Sequence, residues 1–302
     1  MKNVFFSSAS PGVTSIFFKN EYYATHEEYV FAIAEAMKHE YEAIAKSGAT
    51  LQIDCPDLAM GRHMNSKGVT LDDFRQRAAL HVEALNYAVA NIPAEQLRMH
   101  LCWGNYPGPH HCDVALGEIA DIVWTAKPQT VLIEGANPRH AHEFAFFEEH
   151  KLPDSKILCP GMVEPQSPYI EHPELIAQRI GRYADLLGAE RVMAGVDCGF
   201  SVHAGSNSLD PEIVWAKLAA LAEGAEAEGH DAKEHHDRAV HGAEHVVGVA
   251  GDLAILEPAG FPVVGEDPAH PFGQWLVRVG DAPAHHHHQV ETKGEEQQGG
   301  LP

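Results

Sequence analysis

The feature that most constrains this chain is a repeated alternation of short aliphatic runs and helical segments between residues 4 and 226. The first strand-like run is Val4-Phe5-Phe6-Ser7-Ser8-Ala9, and Ser10-Pro11-Gly12 closes it with a turn signal. A helix follows, with Thr25 as N-cap and Glu28 completing a capping box. Tyr29, Ile33, Ala36, Met37, Tyr41 and Ile44 form its apolar stripe, and Gly48 stops it. The same order then recurs. Leu51-Gln52-Ile53-Asp54 precedes a helix from Leu71 to about Asn91, and Met99 to Tyr106 reads as a strand before a helix over about Val114 to Ala126. Thr130 to Glu134 precedes a helix near His142 to Glu149, and Ile157 to Gly161 precedes one that starts at Pro173 and stops before Gly188. Val192 to Cys198 precedes a helix capped by Asp210, with Pro211 at N1, running to about Glu226.

Strict alternation implies a parallel sheet, because parallel neighbours need a crossover long enough to hold a helix. Asp54, His100, Cys102, Glu134 and Cys198 all fall at C-terminal strand ends, where a parallel barrel gathers its chemistry. A doubly wound sheet converges less readily on one point. The expected fold is therefore α/β, a (β/α)8 TIM-type barrel with two of its eight β/α units missing, the first two by the family resemblance given below. Its expected extent is residues 1–228. The segment 229–302 is rich in His, Gly, Ala and acidic residues, includes His285-His286-His287-His288, and loses the alternation, so it is expected to be an irregular, poorly ordered, low-complexity extension.

The net charge of −22 argues against nucleic acid or anionic membrane as partners, since both are held by clustered Lys and Arg. No apolar run reaches the length of about 18 residues that a spanning helix needs, and the N-terminus lacks the layout of a secretion signal. Five widely spaced cysteines do not suit a disulfide framework, which points to a reducing, cytoplasmic setting in which they serve as thiolates.

His100-Leu101-Cys102 places an imidazole and a thiol two residues apart, on one face if the run is a strand. On its own this is weak, because cysteine is commonly a small buried hydrophobe and a strand histidine is often hydrogen-bonded in a core. Glu134 and Cys198, ending two further strands, complete a set of one His, two Cys and one Glu whose softness suits zinc. Zinc in such a site keeps a substrate thiol deprotonated and makes it the nucleophile toward an electrophilic carbon. Asp54 is either an ion-pair partner or a pocket carboxylate, and Trp103 is either rim packing or a flat wall against a substrate. Arg139 either holds an acidic substrate or caps a loop. His110-His111-Cys112 resembles a second metal cluster, but adjacent side chains diverge, so solvent-facing groups are the simpler reading.

With these residues in view, the chain from about Phe5 to Glu228 resembles the C-terminal catalytic barrel of cobalamin-independent methionine synthase and its shorter relatives. Gln52-Ile53-Asp54-Cys55-Pro56 is similar to that family's Gln-Ile-Asp-Glu-Pro, His100-x-Cys102 to its His-x-Cys, Ile133-Glu134 to its Ile-Glu, and Asp197-Cys198-Gly199 to its Asp-Cys-Gly. The resemblance implies His100, Cys102, Glu134 and Cys198 as zinc ligands and Asp54 as the partner of the homocysteine amino group. It also implies methyl transfer from 5-methyltetrahydrofolate (polyglutamate) to homocysteine. Gln166 stands where the family carries a proton-donating His, and Cys55 stands where it carries Glu. The Cys102 to His110 loop and Ala136-Asn137-Pro138-Arg139-His140 are closer to the branch that includes epoxyalkane:coenzyme M transferase, in which a zinc-bound thiol opens an epoxide. A third reading is an inactive zinc-binding remnant of the barrel.

Overall fold

The computed structural model describes residues 4–64, 68–201 and 209–239, with side chains described as far as residue 228. Its frame is a six-stranded sheet in the order β1-β2-β3-β4-β5-β6, every pairing parallel. The strands are β1 (Phe5–Ala9), β2 (Thr50–Asp54), β3 (Leu97–His100), β4 (Thr130–Ile133), β5 (Ile157–Val163) and β6 (Gly195–Val196). Helices α1 (Pro11–Phe17), α2 (His26–Lys46), α3 (Met60–Met64), α4 (Leu71–Ala88), α5 (Ala120–Val123), α6 (Phe144–Glu149), α7 (Pro173–Leu187) and α8 (Pro211–Ala239) connect and follow them. Sequential strand order with helical crossovers is the arrangement of a curled half-barrel, as the alternation predicts.

Side-chain alternation divides the strands into two faces. Leu51, Ile53, Leu97, Met99, Val131 and Leu158 are at most 1% exposed and form the apolar layer. Fully burying each such side chain contributes about 1.5–3 kcal/mol, so this layer is what holds strand register. The opposite face carries Gln52, Asp54, Arg98 and His100, with Gln52 paired in register to Arg98 and Asp54 to His100. Register thus places Asp54 beside His100 at the C-terminal edge of the sheet.

Several elements differ from the sequence expectations. Ser10-Pro11-Gly12 opens α1 instead of turning the chain: Ser10 Oγ caps Val13 N and Pro11 takes N1, where its missing N–H costs nothing. Thr25 caps α2 through Glu28 N, while the Glu28 carboxylate accepts from Ala24 N. The third strand ends at His100, so Cys102 lies in the loop beyond it, where Gly104 takes a positive φ of 99°. The expected helix over residues 114–126 is a 3-10 turn, Leu116–Glu118, followed by the single turn α5. Only Gly195–Val196 of the 192–198 run joins the sheet as a strand, with an isolated bridge at Val192. Helix α8 continues to Ala239, past the expected boundary at residue 228. The remainder of the expected tail, residues 240–302 with its tetra-histidine tract, lies outside the described residues. Among the described residues no helix is long and apolar enough to cross a membrane.

Candidate metal centre

Two strand ends converge on one point. His100 terminates β3, Cys102 follows it by two residues, and Cys198 follows β6 by two residues. Their donor atoms all lie within 4.8 Å of one another. The two sulfurs are 3.7 Å apart. Two sulfurs on one tetrahedral zinc, each about 2.3 Å from the metal, stand about 3.8 Å apart, so the spacing and the donor types fit that ion. His100 and Cys102 are buried, whereas Cys198 is partly exposed.

The His100 ring is held at both nitrogens. Nδ1 donates to Asp54 Oδ1 at 2.7 Å and Nε2 to the Asp197 carbonyl at 3.1 Å. Both partners are acceptors, an arrangement that favours the doubly protonated ring. Burial opposes that charge, but the Cys102 thiol and the Asp54 carboxylate outweigh it and raise the pKa to about 10. The Cys102 thiol is itself pushed well above its usual range by its contact with Cys198 and by burial. Gly104 N donates to Cys102 Sγ at 3.3 Å.

Glu134, which directly follows β4, is not a member of this trio. Trp103 N donates to its Oε1 at 3.1 Å, while Asn137 Nδ2 and Arg139 Nη2 donate to its Oε2 at 2.5 and 3.0 Å. Arg139 therefore serves a carboxylate of the same site in this structure. Asp54 keeps a side chain that is 45% exposed while it orients His100. Trp103 corrects the expectation of a substrate wall: it has no exposed surface, its Nε1 donates to the Val114 carbonyl at 2.6 Å, and its ring lies 4.4 Å from that of His140. A ring without accessible surface packs the core.

His110, His111 and Cys112, read as solvent-facing rather than as a second cluster, go separate ways, and His110 is buried. His110 spends Nδ1 on Asp113 at 2.9 Å and Nε2 on the Tyr106 carbonyl at 3.0 Å, with φ of 39°. His111 and Cys112 line a surface depression with Arg62 and Asp113. Asp113 also accepts from His140 Nε2 at 3.1 Å, and these two histidines hold its carboxyl below the usual range against the opposing effect of burial. Gln166 donates to Asn105 Oδ1 at 2.7 Å, and Asn105 in turn donates to the Gly199 carbonyl, so the Gln166 amide ties together loops around the trio.

Sequence reasoning gave no role to Asp197, which knots the site together. Gly135 N and Ala136 N donate to its Oδ1 at 2.8 and 2.9 Å; Asn137 N and Nδ2 donate to its Oδ2 at 2.8 and 2.9 Å. Burial raises its pKa to about 6, against the pull of these donors. Gly161 supplies the space, because a Cβ there would overlap the Asp197 carboxylate. The available signal was a buried-type acid directly before Cys198 together with a Gly-Ala-Asn turn after Glu134.

Comparison with known proteins identifies the family. Residues 17–211 match the family model described as the cobalamin-independent synthase, catalytic domain. A methionine synthase from Thermococcus kodakarensis is 28% identical over 208 residues, 68% of this chain and 52% of that protein. One from Saccharolobus solfataricus is 27% identical over 210 residues, with the same coverage of 68% and 52%. The chain thus spans about half the length of these relatives. A solved structure of a B12-independent methionine synthase from a Shewanella species, in complex with selenomethionine, shares the fold, with a TM-score of 0.60 at 16% identity. The likeness covers 76% of this chain and 63% of that one. Six parallel strands in barrel order, with a family match across most of the described residues, show that this chain belongs to the cobalamin-independent synthase catalytic-domain family.

Proposed function

We propose that this chain carries the thiol-activating site of a zinc-dependent transfer of a methyl group from 5-methyltetrahydrofolate to the sulfur of homocysteine, giving methionine. The observation that carries the reading is the approach of His100, Cys102 and Cys198 within 4.8 Å, with sulfurs at the spacing of a tetrahedral zinc. In this reading these three residues hold the metal and Glu134 is the fourth, exchangeable ligand. Bound zinc lowers the pKa of a substrate thiol, normally about 8.5, so that the sulfur is a nucleophile at neutral pH.

The chain's own residues supply the rest. Asp54 fixes the His100 ring through Nδ1, so Nε2, which faces the Asp197 carbonyl in this structure, is the nitrogen that would turn to the metal, and the exposed edge of Asp54 suits the ammonium group of an amino-acid thiol. Thiolate and neutral imidazole are the ligand forms, so zinc loading would be favoured by rising pH. Arg139 and Asn137 hold the Glu134 carboxylate, so that it would not be stranded without the metal. The barrel residues 1–228 form the working unit in this reading, and a reducing cytoplasm keeps the thiols available.

A second reading, zinc-dependent alkylation of coenzyme M or another small thiol by an epoxide, is favoured by Gln166. Its amide bridges Asn105 and cannot act as a general acid, so the proton supply differs from that of the methionine synthases. Metal analysis and zinc-edge X-ray absorption with each thiol test both readings. Stoichiometric zinc whose shell gains a sulfur and loses an oxygen with homocysteine supports the first, and the same change with coenzyme M alone supports the second. A chain that takes up no zinc overturns both.

A further inference from the structure

We propose that Cys102 and Cys198 form a reversible disulfide that closes the centre whenever it carries no metal. The pairing itself rests on geometry. Only the protection by zinc rests on the proposed function.

The two sulfurs face each other at 3.7 Å, and all five cysteines are free thiols. Closing to a disulfide bond of about 2.05 Å needs a combined movement of less than about 2 Å. Both residues are placed to make it. Cys102 lies past the end of β3 and Cys198 past the end of β6, so neither is fixed in a strand ladder. The remaining cysteines are poorer partners: Cys55 is completely buried, its Sγ facing the Ile53 carbonyl, and Cys159 is buried beneath Gly195. Cys112 is partly exposed but sits among Arg62, His111 and Asp113 in a different depression.

Exposure sets the order of events. Cys198 is the accessible sulfur, and it attacks a peroxide oxygen as the O–O bond breaks, giving a sulfenic acid and water. Cys102, buried beside it, attacks the Cys198 sulfur and expels the hydroxyl, which leaves as a second water with the Cys102 proton. Two thiols are oxidised and one hydrogen peroxide is reduced. A dithiol reductant reverses the step by exchange. Both sulfur donors are consumed, so the oxidised centre has only His100 left of its close trio and cannot hold zinc.

The test uses the full chain, stripped with a chelator under reduction and then treated with stoichiometric hydrogen peroxide. Peptide mapping by mass spectrometry is the readout. The expected product is a Cys102–Cys198 cross-link lighter by two hydrogens, which loses zinc uptake and regains it after dithiothreitol. Cys112→Ser leaves the cross-link unchanged, and Cys198→Ser abolishes it. Cross-linking through Cys112, or sulfinic acid at Cys198 in place of any cross-link, overturns the proposal. Should the cross-link form in a chain that binds no zinc, the disulfide stands and the metal reading falls. Should zinc bind and no cross-link form in its absence, the disulfide falls and the metal reading stands.

Discussion

Asp197→Asn is the substitution whose cost can be worked most directly from the structure. The carboxylate accepts four hydrogen bonds, two at each oxygen, from Gly135 N and Ala136 N on one side and from Asn137 N and Nδ2 on the other. An amide has one oxygen, so either orientation keeps one pair of donors and turns its NH2 group against the other. Two bonds to a charged acceptor are lost, at about 1.5–3 kcal/mol each, for a gross cost of about 3–6 kcal/mol. Glu134 and Asp197 both lie in this buried knot and share Asn137 Nδ2, so removing one charge relieves repulsion. The net expectation is a destabilisation of about 2–4 kcal/mol. Urea unfolding followed by circular dichroism, with an unchanged slope, measures it. The turn 135–137 positions Glu134 and Asp197 neighbours Cys198, so zinc affinity is expected to fall as well. A loss below about 1 kcal/mol would show that the knot is not under the constraint described.

Cys102→Ala or Cys198→Ala is expected to abolish stoichiometric zinc binding, while Cys112→Ala and Cys159→Ala retain it; full affinity in both of the first pair refutes the ligand assignment. Gly12→Ala drives a Cβ into the Asp57 carboxylate, 2.6 Å from His81 Nδ1, in a pocket where Asp57 also accepts from Ser10 Oγ at 2.6 Å. A loss of about 2–5 kcal/mol, read by thermal unfolding, is expected from overpacking a buried hydrogen-bonded acid. His26, which contacts His81 at Nε2, is held down to about 4 by burial, by His81 and by Arg77, from an ordinary value of 6.5. The folded state favours neutral His26, so stability present above pH 6.5 falls as the pH drops toward 4; His26→Gln should flatten that dependence in a melting-temperature profile, and an unchanged slope would count against it.

The fold was legible because its signals are local. Periodicity, Thr25, Pro173, Gly188 and Pro211 each mark an element edge by a backbone requirement that a single residue meets. The exceptions are instructive in the same terms. Ser10-Pro11 is as good a helix start as a turn, and the helix start is supported by Ser10 Oγ capping Val13 N and donating to the buried Asp57, which is distant in sequence. The last ladder bond of the third strand is from Leu101 N to the Leu132 carbonyl, and Cys102 follows in the loop that holds the positive-φ Gly104, with its sulfur 3.7 Å from that of Cys198.

The site was legible to the degree that its residues announce their chemistry by type. His100, Cys102 and Cys198 are of that kind, and the fold brings one imidazole and two thiols from the ends of β3 and β6 within 4.8 Å of one another. Trp103 does not: the same indole can line a pocket or fill a core, and its burial is set by Val114 and His140, neither of which its own sequence neighbourhood identifies. Glu134 raises the sharper point. In this structure Arg139, Asn137 and Trp103 N hold its carboxylate, and in the proposed reading a metal would compete with them for it. A ligand that must be replaceable needs such a second set, since a buried carboxylate released with no donor to receive it costs several kcal/mol. Arg139→Met is therefore expected to bind zinc more tightly while exchanging Glu134 for a thiol less readily, a pair of opposite changes that a merely structural arginine would not produce.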